Sequence, residues 1–163
     1  MLTLILTAAF LGLCLVAAIH DLLTLTIPNW LNLALAALSG AALLAAQPPL
    51  DLAMAHLATA GVAFLVCFGL FALNVFGGGD AKMIPAVMLG LGPQAAFAFL
   101  FWMALSGGVL AAILVLGRRY PGRDRMPGLL KKSFTHGEGV PYGISITTGV
   151  IAAFPASPIL GMT

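Results

Sequence analysis

Long uncharged apolar runs are the feature that most limits what this chain can fold into. Residues 1–19 contain no charged side chain, and neither do residues 83–117. The whole chain of 163 residues is 61% hydrophobic and only 7% charged. A soluble domain of this size could not bury so much apolar surface, whereas about 20 consecutive apolar residues suffice for a helix to cross a bilayer. The sequence therefore predicts an integral membrane protein.

Short polar breaks, or breaks that contain Gly and Pro, divide the apolar runs into separate helices. We place one break at Gly90–Pro93, because residues 83–117 are too long for one span and both residue types favour turns. Thr26 is predicted to cap the second span. We predict an all-α bundle of about six transmembrane helices, forming a single membrane-embedded domain over residues 1–163. The predicted spans are residues 1–19, 29–46, 52–76, 81–91, 94–116 and 141–154.

The distribution of positive charge predicts which side of the membrane each loop faces. Six of the seven Lys and Arg residues lie within residues 118–139, so the positive-inside rule predicts a basic cytoplasmic loop there. This topology explains the basic patch without a nucleic acid partner. Two predicted spans separate Asp21 from Asp80, and two more separate Asp80 from the loop, so both aspartates share its side. A single span over residues 83–117 would instead place the loop on the opposite side.

Asp21 and Asp80 are the main candidates for catalysis, because each lies at the end of a predicted span. A carboxylate at a membrane boundary costs free energy and is usually retained for function. Asp80 could instead cap the next helix, and Asp21 could be a solvated interfacial residue. Two facing carboxylates tend to share one proton, so that the ionised one activates water and the protonated one polarises a carbonyl. That is the chemistry of peptide hydrolysis without a covalent intermediate.

The residues around Asp80 suggest how a peptide could be held. Gly77, Gly78 and Gly79 could let an extended peptide approach the backbone closely, although a glycine run also suits a flexible loop. Lys82 lies two residues after Asp80 and does not share its helix face. We therefore expect Lys82 to anchor the helix at the membrane boundary or to contact substrate, rather than to pair with Asp80.

The remaining polar residues do not suggest a metal ion or a covalent nucleophile. Cys14 and Cys67 lie in separate apolar runs, no CxxC pair exists, and the His residues lack metal-ligand spacing. We therefore expect no metal and no cofactor. Ser106 and Ser145 have no His placed to activate them, which disfavours a serine protease. His20 adjoins Asp21 and is interpreted as an interfacial side chain.

Three motifs resemble those of the type IV prepilin peptidases, which are aspartic proteases of the membrane. Residues 76–83 (FGGGDAKM) resemble the Gly-x-Gly-Asp-x-Lys signature of that family. Asp21 with the following Ile-Pro-Asn at residues 27–29 resembles its other aspartate motif, and residues 140–143 (VPYG) resemble its aromatic Pro-x-Gly element. The resemblance implies that Asp21 and Asp80 are the catalytic pair. The residues expected to bind substrate or shape the site are Gly77, Gly78, Gly79, Lys82, Pro28 and Asn29.

The resemblance also implies a substrate and a location. The substrates would be prepilins or pseudopilins, whose short basic leader is removed at the cytoplasmic face of the bacterial inner membrane. The partners would be the lipid bilayer and the pilus assembly machinery. Larger members of the family carry a cytoplasmic extension with zinc-binding cysteines and N-methylation activity, but residues 21–29 leave no room for it. We therefore expect cleavage without methylation, as in the short branch that serves tight-adherence (Flp-type) pili.

Other functions remain open on sequence alone. An archaeal-type preflagellin peptidase would have the same motifs, although the Ala- and Leu-rich, Lys-poor composition favours a bacterial source. Two membrane carboxylates could also serve an ion or proton transporter, but transport sites usually lie near the bilayer midplane rather than at helix ends. A non-catalytic assembly factor of a pilus machine is a third class, and the intact aspartate pair argues against it.

Overall fold

The computed structural model of the protein describes residues 1–118 and 139–161. These residues form five α-helices and a short 3₁₀ turn, Phe154–Ala156, and contain no β-strand. The helices are α1 (Leu2–Thr24), α2 (Asn29–Ala46), α3 (Leu50–Ala72), α4 (Gly78–Arg118) and α5 (Tyr142–Ala153). The predicted basic loop, apart from its first and last residues, lies outside the described residues.

The surface of the bundle is apolar, as expected for helices that face lipid. Within the described part of the chain, α1 to α4 are each long and apolar enough to cross a membrane, and the α5 region is a shorter apolar helix. Large apolar side chains are turned outward, for example Leu33 (72% exposed) and Phe97 (81% exposed). The prediction of an all-α integral membrane protein is therefore confirmed.

Helix α4 is broken at Gly92, inside the predicted turn. Gly92 has φ 73° and ψ 179°, a conformation open almost only to glycine, and Pro93 follows it. The break separates residues 78–91 from residues 93–118, and the second segment returns toward the start of the first. By Ala111 the chain lines the same cavity as Asp80. With α1, α2, α3 and α5, the two segments make six helical pieces in the described chain, in agreement with the predicted number.

Polar side chains from three other parts of the chain support the end of the first α4 segment. Pro93 has no N–H to donate to the carbonyl of Leu89, four residues earlier, and His56 Nδ1 bonds to that oxygen instead, at 2.9 Å. Ser157 Oγ donates to the Gly90 carbonyl at 2.9 Å. One turn earlier, the Ala86 carbonyl accepts a hydrogen bond from Ser39 Oγ of α2. Buried carbonyls without partners are costly in an apolar medium, so these bonds make the sharp turn tolerable.

Replacing Gly92 by Ala should destabilise the protein by about 1–3 kcal/mol from backbone strain alone. The added methyl would also overlap the buried ring of His56. Thermal unfolding in detergent measures the change. The matched control is Gly40→Ala, because a methyl at Gly40 in α2 meets no atom within 4 Å. Alanine favours helix, so the control should raise stability by up to about 1 kcal/mol. Equal midpoints for both variants would contradict the proposed role of Gly92.

Two helices connect the elements that carry the aspartates. Helix α4 packs against α2, α3 and α5, whereas α1 packs against α2 and α5. Thr147 of α5 donates a hydrogen bond to the Cys14 carbonyl of α1 at 2.8 Å. At the far end of α1, Thr7 donates to the Leu160 carbonyl at 3.1 Å. Helices α2 and α5 therefore fix how α1 is placed against α4.

The structure corrects three predicted helix ends. Helix α1 continues to Thr24, and its C-cap Leu25 has a φ of 56°, so Asp21 lies in the last turn of the helix rather than in a loop. The polar residues that follow the predicted first span, residues 1–19, therefore continue the helix instead of breaking it. Thr26 does not cap α2, whose N-cap is Pro28. Helix α3 ends at Ala72, and Asn74 with φ 58° turns the chain, a change of direction that hydropathy does not register.

Candidate active site

A cavity of about 320 Å³ lies where α1 ends and α4 begins, and both aspartates line it. Asp21 comes from the last turn of α1 and is 5% exposed, and Asp80 comes from the first turn of α4 and is 9% exposed. The structure thus brings together two nearly buried carboxylates that are far apart in sequence. The rest of the cavity wall is formed by Leu25, Thr26, Ile27, Asn29, Gly77, Gly78, Gly79 and Lys82.

Asp21 is held by the start of α5. The backbone N–H of Gly143, the second residue of that helix, donates a hydrogen bond of 2.8 Å to Asp21 Oδ2. A side chain at position 143 would not fit, because its Cβ would lie 2.9 Å from Asp21 Cβ and 3.0 Å from Oδ2. The helix N-terminus and its free N–H groups favour an anion at this position.

Asp80 is held much less firmly. Its Oδ1 is buried and has no hydrogen-bond partner among the described residues. A methyl group at Gly77 would lie 3.0 Å from its Oδ2, so the glycine keeps that side of the carboxyl open. Buried polar atoms are nearly always paired in folded proteins, so the orphan Oδ1 leaves the Asp80 carboxyl poorly stabilised as an anion.

The glycine run packs against the loop that precedes α2. A Cβ on Gly79 would lie 2.9 Å from the Cβ of Ile27 and 3.1 Å from its carbonyl oxygen, so only glycine allows this approach. Asn32 of α2 donates from Nδ2 to the Gly79 carbonyl at 3.1 Å and is itself 5% exposed. These contacts fix the backbone that leads into Asp80.

Lys82 and Asn29 meet at the exposed edge of the cavity. Lys82 Nζ donates to Asn29 Oδ1 at 2.7 Å, and both side chains line the cavity with the aspartates. The cation therefore lies beside the carboxylates and bonds to an amide. Pro28 does not line the cavity, and it sets the extended backbone from which α2 starts. His20 bonds through Nδ1 to the Thr26 carbonyl at 2.7 Å and so closes the α1–α2 loop.

Sequence reasoning missed two residues that build the site. Asn32 follows Asn29 by three positions on the same face of an apolar helix, and that spacing was the available signal. Gly143 lies in the VPYG motif, but nothing in the sequence links it to a residue more than a hundred positions earlier. Among residues 1–118 and 139–161, no three His, Cys, Asp or Glu side chains are grouped as metal ligands would be.

The fold and the site define a class: a helical membrane protein with two buried carboxylates on one polar cavity at one end of its bundle. The sequence model of the type IV leader peptidase family matches residues 8–112, a range that includes both aspartates. The chain belongs to the type IV leader peptidase family and is a membrane peptidase. The resemblance drawn from the motifs is thereby confirmed. Neither the curated proteins nor the solved structures gave a match.

Proposed function

We propose that the protein is an aspartic endopeptidase that removes the basic leader from prepilins or pseudopilins of the Flp type. The observation that carries the proposal is the pair Asp21 and Asp80, both nearly buried on one cavity wall in a chain of the leader peptidase family. The protein would act at the cytoplasmic face of the bacterial inner membrane, as a single membrane-embedded domain. The lipid bilayer and the pilus assembly machinery would be its other partners.

Asp21 is the member of the pair that would carry the negative charge and act as base. A direct N–H donor at 2.8 Å stabilises its carboxylate, and a hydrogen bond to a charged group contributes about 1.5–3 kcal/mol. The first turn of α4 favours charge on Asp80 and the last turn of α1 disfavours it on Asp21, but such dipole effects contribute only about 0.3–1 kcal/mol each. The unpartnered Oδ1 of Asp80 suits a neutral carboxylic acid that donates its proton to substrate.

The hydrolysis then follows with every proton accounted for. Asp21 takes a proton from water as the water oxygen bonds to the peptide carbonyl carbon, and Asp80 gives its proton to the carbonyl oxygen. In the tetrahedral intermediate, Asp21 passes its proton to the leaving nitrogen and the C–N bond breaks. Asp80 regains a proton from one hydroxyl as the new carboxylic acid forms. Each aspartate ends in its starting state, as general acid–base catalysis requires.

The other residues of the cavity would hold the peptide and the loop. Asn32 and Gly79 fix the backbone before Asp80, and Lys82 with Asn29 forms a polar edge that can contact an acidic residue of the substrate. The α1–α2 connection is only residues 25–28, and its shortness supports cleavage without N-methylation. Ala111 lines the same cavity as Asp80, so α4 leads into the basic segment on the aspartate side, which supports a cytoplasmic site.

Membranes that contain the protein should cut a prepilin-type substrate at one bond, at the end of its leader. The rate should rise and then fall with pH. At low pH Asp21 is protonated and cannot accept a proton from water, and at high pH Asp80 has lost the proton that it must donate. Mass spectrometry of both products identifies the bond, and initial rates across the pH range give the profile.

Membranes without the protein are the control for this assay. Adding S-adenosylmethionine tests methylation, and the new N-terminus should keep its unmodified mass. Absence of cleavage at every pH would overturn the proposal, and proton or ion flux through the protein would support a transporter instead. A rate that stays flat across the acidic range would contradict the shared proton.

A further inference from the structure

A second cavity, of about 300 Å³, adjoins the other side of Asp80. Unlike the cavity that contains both aspartates, it is lined by apolar residues except for Asp80 and Tyr142. It lies between the two segments of α4 and the start of α5. The apolar part of its wall includes Phe76, Ile84, Met103 and Ile146. We call it the apolar cavity, and the one that holds both aspartates the polar cavity.

Small residues keep the apolar cavity open. Ala104, Gly107, Gly108 and Ala111 follow one another at helical spacing and form one wall, on the second segment of α4. A Cβ at Gly108 would meet no atom within 4 Å, so the space beside it is empty. A larger side chain therefore has room at Gly108, whereas a Cβ at Gly107 would already lie 3.4 Å from Ser145 Oγ of α5.

Asp80 gives the apolar cavity a polar group, which a simple packing gap between helices would lack. Its side chain is 9% exposed, lines both cavities, and carries a buried oxygen without a partner. Protein interiors are otherwise close-packed, and an apolar cavity with one polar group at its edge is the usual form of a binding pocket. Phe76 and Tyr142 contact each other there, with ring centroids 6.0 Å apart.

We propose that the apolar cavity is the specificity pocket for one apolar side chain directly flanking the peptide bond that is cut. The inference rests on the proposed function. Asp80 must reach the carbonyl of that bond, and in an extended peptide the neighbouring side chains point alternately to opposite sides. A peptide that passes Asp80 therefore places one flanking side chain toward the apolar cavity and its polar leader in the polar cavity. The enzyme would thereby recognise the change from polar to apolar residues at the cleavage point of its substrate.

Filling the pocket should change which substrates are cut. Two substrate series test this, one varied before the cut bond and one after it, each carrying Ala, Leu or Phe at that position. Gly108→Ala, Gly108→Val and Gly108→Leu should progressively lower kcat/KM for the large residues relative to Ala. The change should reach at least about tenfold for Gly108→Leu in one series, because pocket contacts of this size discriminate by that much. The other series should keep the wild-type ratio.

The matched control is Gly69→Leu, since Gly69 is also an exposed helical glycine whose Cβ would meet no atom within 4 Å. This variant should keep both wild-type ratios. Ala104→Leu fills the same pocket from another position and should reproduce the effect if Gly108→Leu is poorly folded. Unchanged ratios in both series would overturn the pocket while leaving the protease intact. A wild type that cuts no substrate would overturn the protease and the pocket together.

Discussion

Replacing either Asp21 or Asp80 by Asn will lower the rate of leader cleavage by about 10²- to 10⁴-fold. Asparagine keeps the size and polarity of the side chain but can neither accept the proton of water nor donate one to the carbonyl. Asn at position 21 would still meet the Gly143 N–H, so the loss should come from chemistry rather than from folding. Initial rates of cleavage by purified variants in detergent measure it.

The double variant shows whether the two aspartates act as one unit. Groups that serve the same step are strongly non-additive, so removing both should cost little more than removing one. Asp51→Asn is the matched control, because Asp51 is an exposed acidic residue in the first turn of α3 and lines neither cavity. It should keep the wild-type rate. If the rate losses of the two single variants multiply in the double variant, the shared mechanism is contradicted. A single variant that still cuts well would contradict it too.

Replacing Gly143 by Ala will lower kcat by about 100-fold, with little change in KM. The new methyl would lie 2.9 Å from Asp21 Cβ and 3.0 Å from its Oδ2, so the carboxylate must move. A shift of about 1 Å in a reacting group is enough for a loss of this size. Gly143 is a positioning residue, since its N–H acts on the substrate only through Asp21. Steady-state kinetics with the same prepilin-type substrate separate kcat from KM.

Gly12→Ala is the comparison for Gly143→Ala. A methyl at Gly12 of α1 meets no atom within 4 Å, so cleavage should stay at the wild-type rate. Thermal unfolding separates a moved carboxylate from a damaged fold. The midpoint of Gly143→Ala should fall below that of Gly12→Ala because of the overlap with Asp21, but both variants should be fully folded at the assay temperature. A variant that is largely unfolded at that temperature would mean that the lost rate reflects the fold instead.

Much of the bundle could be predicted from local sequence. Apolar runs and the Gly90–Pro93 break follow from the residues themselves, and the structure has the helices and the turn where they indicate. The end of α1 could not be predicted, because residues 20–24 are polar enough for a loop. They stay helical through backbone hydrogen bonds, and the last turn is closed by the Leu25 N–H, which donates to the Asp21 carbonyl at 2.7 Å. Hydropathy is averaged over a window of neighbouring residues and does not register such bonds.

Part of the candidate site could likewise be predicted from the sequence, and part of it could not. Asp21 and Asp80 stand out in the sequence because a carboxylate in an apolar chain is conspicuous. Their partners do not stand out, since Asn32 meets Gly79, and Gly143 meets Asp21, only after the helices have packed. The apolar cavity was equally invisible, because it is made of ordinary small residues whose meaning comes from their nearness to Asp80. The order of the helices can be predicted from local sequence, whereas the environment of each carboxylate depends on long-range packing.

Helix α3 has a consequence for how such a protein can vary. It packs mainly against α4, most of its side chains face outward, and none of its residues lines the polar or the apolar cavity. The relative placement of α1 and α4 is instead set by α2 and α5. Substitutions on the outer face of α3 can therefore adapt the protein to bilayers of different lipid composition without moving either aspartate. Evolution can tune the membrane-facing surface and the reaction centre separately.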